Sequence, residues 1–130
     1  MLEGKKVVYL AGPMRGYPYY NFPLFDSVAK ELRDYGLVVI SPADIDRENG
    51  FEATSLPGDY DWYSIPDKFD LFHCIRRDVD SILRSDALVL LPGWRKSTGV
   101  RAELHVAKWA LKKCVEFSTA RKVADIVYGE

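Results

Sequence analysis

An open, doubly wound parallel α/β sheet is what this 130-residue chain predicts, on three observations. Short apolar runs of strand length occur at Lys6–Ala11, Leu37–Ile40, Ala87–Leu91 and Cys114–Phe117. Segments with apolar residues at helical spacing separate these runs, and Gly or Pro follows the first three. Strands that alternate with helices pair in parallel, and right-handed crossovers then cover both faces of the sheet. The expected strand order is 2-1-3-4, a flavodoxin- or Rossmann-like arrangement in one domain spanning residues 1–130.

Each element has its own reason. Lys6–Ala11 (KVVYLA) is apolar throughout and stops at Gly12-Pro13, as a strand buried on both faces should. Asn21 is the expected cap of a helix running to Tyr35, with Phe25, Val28, Ala29 and Leu32 inward and Gly36 as its left-handed stop. Leu37–Ile40 (LVVI) is the second strand, closed by Ser41-Pro42. Residues 43–68 show no periodicity and are rich in Pro, Gly, Asp and aromatics, which predicts a lid or binding loop. A helix over Phe69–Arg84 should bury Leu71, Phe72, Ile75, Val79, Ile82 and Leu83, with His73, Arg76, Arg77, Asp80 and Arg84 in water. Ala87–Leu91 (ALVLL) is the third strand, followed by a helix over Thr98–Lys112. Cys114–Phe117 completes the sheet, and a terminal helix is expected over Ala120–Tyr128.

A formal net charge of −1 leaves no basic excess to hold a nucleic-acid backbone, so no nucleic-acid polymer is expected as a partner. Two His and two distant Cys, without a CxxC, suggest neither a metal centre nor a disulfide, and no cofactor is expected. Residues 1–6 are too polar for a signal peptide, and no apolar run approaches the ~18 residues of a membrane span. The expectation is a cytoplasmic protein with no membrane partner.

Two carboxylates break this plan. On the Thr98–Lys112 helix, Arg101, His105, Lys108 and Lys112 form the solvent stripe, and Glu103 falls among Val100, Leu104, Ala107, Ala110 and Leu111. A buried carboxylate is either partnered for structure or kept for chemistry, because desolvation alone raises its free energy by several kcal/mol. Asp78 likewise lies at the edge of an apolar arc, beside Leu71, Cys74 and Ile82. Its alternatives are an acid/base role and a structural bond to backbone or Arg.

The strand ends supply candidate ligand loops. Gly12-Pro13-Met14-Arg15-Gly16 follows the first strand, and Pro92-Gly93-Trp94-Arg95-Lys96-Ser97-Thr98-Gly99 follows the third. In doubly wound sheets these segments meet where ligands bind. Glycine-rich backbone, Arg15 and the hydroxyls of Ser97 and Thr98 suit one phosphate. The competing reading is a tight turn with Ser97 or Thr98 as helix cap. Neither GxGxxG nor GxxxxGK[ST] occurs, so a dinucleotide or triphosphate is not indicated.

Tyr9-Leu10-Ala11-Gly12-Pro13-Met14-Arg15-Gly16, Asp78, Asp86 and Ser97-Thr98-Gly99-Val100-Arg101-Ala102-Glu103 together resemble the nucleoside 2-deoxyribosyltransferase superfamily. The resemblance covers nearly the whole chain in order, apart from the divergent middle loop. It implies N-glycosidic chemistry, with Glu103 as nucleophile, Tyr9 hydrogen-bonded to it, and Asp78 acting near the nucleobase or sugar hydroxyls. Transferases of that superfamily carry an Asp six residues before the nucleophile, where this chain has Ser97. In that respect it is similar to the nucleoside 5′-monophosphate N-glycosidase branch, in which Ser and the Arg of the Gly-rich loop hold phosphate. The resemblance also implies a homodimer or higher homo-oligomer with shared sites, involving Phe72 and Trp109.

Trp62, Tyr63 and Trp94, with Tyr60, are either stacking platforms for a base or packing of a lid or subunit interface. Three functional expectations result. The first is hydrolysis of a (deoxy)nucleoside 5′-monophosphate to base and sugar phosphate. The second is transfer of deoxyribose between bases, and the third is a non-catalytic nucleotide-binding module.

Overall fold

The computed structural model describes residues 6–66, 70–118 and 127–128. Four parallel strands, β1 (Val7–Ala11), β2 (Val38–Ile40), β3 (Ala87–Leu90) and β4 (Lys113–Glu116), form an open sheet of order β2-β1-β3-β4. The register places Tyr9 opposite Ile40 on one side and Leu88 on the other. Leu88 in turn pairs with Cys114. This is the expected order, and it is consistent with a flavodoxin-like fold.

Alternating residues of β1 feed two separate cores. Val8 and Leu10 face helix α1 (Phe22–Asp34), which buries Phe22, Phe25, Val28 and Leu32 against them. Val127 joins that same core. Tyr9 and Ala11 face the other layer, where Ile82 of α3 (Leu71–Leu83) and Val100 and Ala107 of α4 (Thr98–Trp109) pack. With both faces covered, a strand such as β3 is buried at every position.

Four sequence expectations need correction. Asn21 does not cap α1 through its side chain; its amide instead donates to the Pro13 carbonyl at 2.8 Å. Tyr19, Tyr20 and Asn21 occupy left-handed backbone in succession (φ 54°, 50° and 65°), so the chain enters α1 through a reversed turn. Segment 43–68 is not structureless among its described residues. Helix α2 (Pro42–Glu48) starts with proline in its first turn, and a 3₁₀ turn follows at Ala53–Ser55. Pro42 therefore opens a helix as well as closing a strand.

The third and fourth corrections concern helix orientation. In α3 most of the predicted inner arc faces outward: Phe72 is 72% exposed, and Leu71, Ile75 and Leu83 are each about half exposed, whereas Ile82 is buried as expected. The inward line is Cys74, Arg77, Asp78, Ser81 and Ile82, of which Ser81 and Ile82 are fully buried. Small polar residues lie flat there because their hydroxyls are satisfied locally, Ser81 Oγ donating to the Arg77 carbonyl and Ser85 Oγ to that of Ser81. Arg77, expected in water, is thus turned inward. In α4, Val100 and Ala107 are buried as expected, but the helix ends at Trp109 and Leu111 lies outside it, exposed at φ 62°.

The first residue of the helix predicted over Phe69–Arg84, Phe69, lies outside the described residues, and Asp70 caps α3 by accepting from the His73 amide. The predicted terminal helix also lies outside them except at residues 127–128, which are helical. Among the described residues, no helix is long and apolar enough to cross a membrane.

Candidate active site

The two carboxylates singled out in the sequence lie within electrostatic reach of each other and of Tyr9 in the middle of β1. Tyr9 is completely buried in that strand, and its hydroxyl donates to Glu103 Oε2 at 2.7 Å. Glu103 reaches inward from the second turn of α4, and although the residue is only partly buried, its carboxyl is enclosed. Burial pushes that carboxyl up to about 8. The Tyr9 hydrogen bond and the Arg77 cation oppose the shift, and the charge of Asp78 adds to it. Tyr9 itself is raised far above an ordinary phenol, by burial first and by Glu103 next, so it remains a donor.

Asp78 lines a cleft of about 180 Å³. Arg77 Nε donates to Asp78 Oδ1 at 3.0 Å, and Arg77 Nη1 donates to Asp46 Oδ1 at 2.9 Å. Asp46, on α2, is only 3% exposed. Burial raises both aspartates, and Arg77 partly offsets that rise in each. A partner one residue away on the same helix does not ordinarily meet its neighbour. Here Arg77 runs back along α3 with its far end anchored on Asp46, and that brings its Nε to Asp78.

The opposite wall is apolar and aromatic, with Met14, Tyr20, Phe51, Ile65 and Pro66. Tyr20 is fixed by its hydroxyl, which donates to the Ser64 carbonyl at 2.8 Å. Arg15 also lines this cleft.

The Gly-rich loops do meet. A Cβ on Gly93 (φ 87°) would lie 2.6 Å from the Tyr17 hydroxyl and 3.3 Å from Pro13 Cγ, so the segment after β3 rests on the one after β1. Gly12 is equally constrained, since a Cβ there would come within 2.8 Å of Leu91 Cβ. Gly16 donates its amide to the Trp62 carbonyl at 2.7 Å and lies against the Tyr63 ring.

The remaining predicted residues divide. Ser97, Thr98 and Gly99 do not line this cleft, and neither does Glu103, which stands close enough to Asp78 and Arg77 to feel both charges. Ser97 caps α4, its Oγ accepting from the Val100 amide at 3.2 Å. Trp94 is turned to Glu116, donating its indole N–H to Oε1 at 3.1 Å, with Arg95 stacked on its ring. Trp62 packs in a cluster with Tyr19, Tyr20 and Tyr60 at centroid distances of 5.0, 5.5 and 5.1 Å, which is lid packing. Tyr63 is 73% exposed and covers Gly16.

Sequence reasoning missed Asp46, Arg77 and Tyr20. Asp46 was findable, because Ser41-Pro42 followed by Asp44 is a helix-start signature that would have placed it on an inward turn.

Comparison with known proteins adds one finding. The family described as Domain of unknown function (DUF4406) matches residues 6–116, while no curated protein matches the chain. That match spans all four strands and every residue of the cleft, so the chain belongs to the DUF4406 family.

Proposed function

We propose that this protein is a nucleotide N-glycosidase, cleaving a (deoxy)nucleoside 5′-monophosphate into free base and sugar phosphate. One observation carries the reading: an enclosed carboxyl, Glu103, held at 2.7 Å by the buried Tyr9 hydroxyl and close to the cleft-lining Asp78. Cleavage of the glycosidic bond sends its electron pair to the base nitrogen and leaves positive charge on the sugar. The ionised Glu103 stabilises that charge and bonds to the anomeric carbon; water then releases the sugar phosphate. Asp78 carries the proton that the departing base takes up.

Arg15 at the cleft suits the phosphate. Ser97, the other group expected at the phosphate, caps α4 outside the cleft lining, so the support for a phosphate subsite is Arg15. The apolar wall of Tyr20, Phe51 and Ile65 suits the faces of a base. The test is a screen of nucleoside monophosphates with and without an added acceptor base. Free sugar phosphate that is absent with Glu103→Ala supports hydrolysis, and a new nucleoside formed with the acceptor points to transfer. A ligand bound stoichiometrically and recovered intact, with binding unchanged in Glu103→Gln, points to a binding module.

The working unit in this reading is a homodimer in the cytoplasm. Its support is the apolar stripe Leu71, Phe72, Ile75 and Leu83 on α3, beside the exposed Trp109 and Leu111 at the end of α4. Lys112 Nζ donates to the Leu83 carbonyl at 3.1 Å, which joins the two helix ends into one surface. Six such side chains offer on the order of the ~800 Å² that one partner gives a standard interface. Val127 packs on the opposite face of the sheet, away from this stripe, and Leu71 belongs both to the stripe and to the cleft. A second copy seated there adjoins the ligand.

A further inference from the structure

Asp46 and Arg77, which continue the line of charged groups from Asp78 back to α2, have no part in the roles given above. Asp46, Arg77 and Asp78 are joined by two hydrogen bonds of 2.9 and 3.0 Å, and their side chains are 4%, 16% and 24% exposed. Asp46 sits 31 residues before Arg77 in the sequence, so this chain ties α2 to α3 across the floor of the cleft. Burying three charged groups is unfavourable unless each is fixed in place, and the floor would be filled more simply by apolar side chains. Arg77 bonds to Oδ1 of each aspartate, and both residues line the cleft.

We infer that Arg77, anchored by Asp46, is a positioning residue that aims Asp78 into the cleft and holds a fixed positive charge beside Asp78 and Glu103. The inference rests on the glycosidase reading for its consequence in turnover, but not for its electrostatics. The groups that act on Arg77 and the two carboxyls are Tyr9 from β1 and Asp46 from α2, with Cys74 on α3 beside them, Asp70 ahead of α3 acting on Cys74, and Arg15 lining the same cleft. Of these, Arg77 is the cation that acts on Asp46, Asp78 and Glu103 alike. Its guanidinium keeps its charge under any working pH, so the supply is constant.

Three variants separate position from charge. Arg77→Met removes both, Arg77→Lys keeps charge without the fork, and Asp46→Asn keeps the guanidinium but loosens its anchor. Carbon-detected NMR titration of the Glu103 and Asp78 carboxyls needs no substrate. In Arg77→Met both should titrate at least about one pH unit higher, and the acidic limb of the rate profile should move with them. In Arg77→Lys the titrations should stay near wild type while kcat falls tenfold or more at nearly constant KM. Asp46→Asn should lose the exchange protection of the Arg77 Nε proton and reproduce that fall in kcat.

Unmoved carboxyl titrations in a folded Arg77→Met protein would overturn the inference. Should that variant not fold, a protected Arg77 Nε proton in Asp46→Asn overturns it equally. A wild-type protein that turns over no nucleotide, yet shows the titration shift, counts against the glycosidase reading alone and sustains the electrostatic role of Arg77.

Discussion

Tyr9 and Glu103, 94 residues apart, meet across the sheet–helix layer in a 2.7 Å hydrogen bond from phenol to carboxylate oxygen. Removing that donor in Tyr9→Phe takes away the hydrogen bond that holds the Glu103 proton affinity down. The carboxyl should then titrate above its present value of about 8, and glycosidase activity at pH 7 should fall at least tenfold, with recovery towards higher pH. A pH–rate profile of the variant checks this, and an unshifted acidic limb would contradict it.

The same carboxyl makes folding depend on pH. Its folded value of about 8 lies above its ordinary value of 4.5, so the protonated form is favoured in the native state. The stability it confers is complete below pH 4.5 and is lost as pH rises through about 8. Glu103→Gln should abolish this loss, leaving the variant more stable than wild type at pH 9 by a few kcal/mol while eliminating turnover. Urea unfolding at pH 5, 7 and 9 measures it; parallel stability profiles for the two proteins would refute it.

Gly93→Ala should destabilise the fold by about 1–3 kcal/mol, since the new methyl meets the Tyr17 hydroxyl and the backbone is left-handed there. Adding Tyr17→Ala relieves the collision but not the backbone term. Thermal unfolding of the double variant should therefore show partial recovery only.

Charge on the outward stripe tests the assembly. Phe72→Asp combined with Ile75→Asp should convert a dimer into a folded monomer by light scattering, because both positions are exposed and outside the two buried cores. A wild-type protein that is already monomeric at micromolar concentration would exclude the second copy.

The sheet was legible because parallel strands leave a local trace: Val8 to Ala11 are apolar in succession, and Gly36 ends α1 where its φ of 92° requires it. Glu103 was legible because α4 is a surface helix with an ordinary wet face, against which one inward carboxylate stands out. Helix α3 was not. Periodicity reports which side of a helix is apolar, not what lies against it, and the apolar side of α3 faces away from the sheet. Arg77 consequently read as a solvent residue, since the partner that draws it inward, Asp46, lies on another helix. Pairings at such separation leave no local trace in composition or spacing.

The turn at Tyr19, Tyr20 and Asn21 bears on how the cleft works. Each left-handed residue there stores about 1–3 kcal/mol relative to relaxed backbone. The Tyr20–Ser64 and Asn21–Pro13 bonds act as latches on that tension. Both bonds therefore offset strain that the main chain would otherwise shed. One side of the cleft is thus built on backbone held against its own preference, and a variant such as Tyr20→Phe gives up one of the two bonds that hold it.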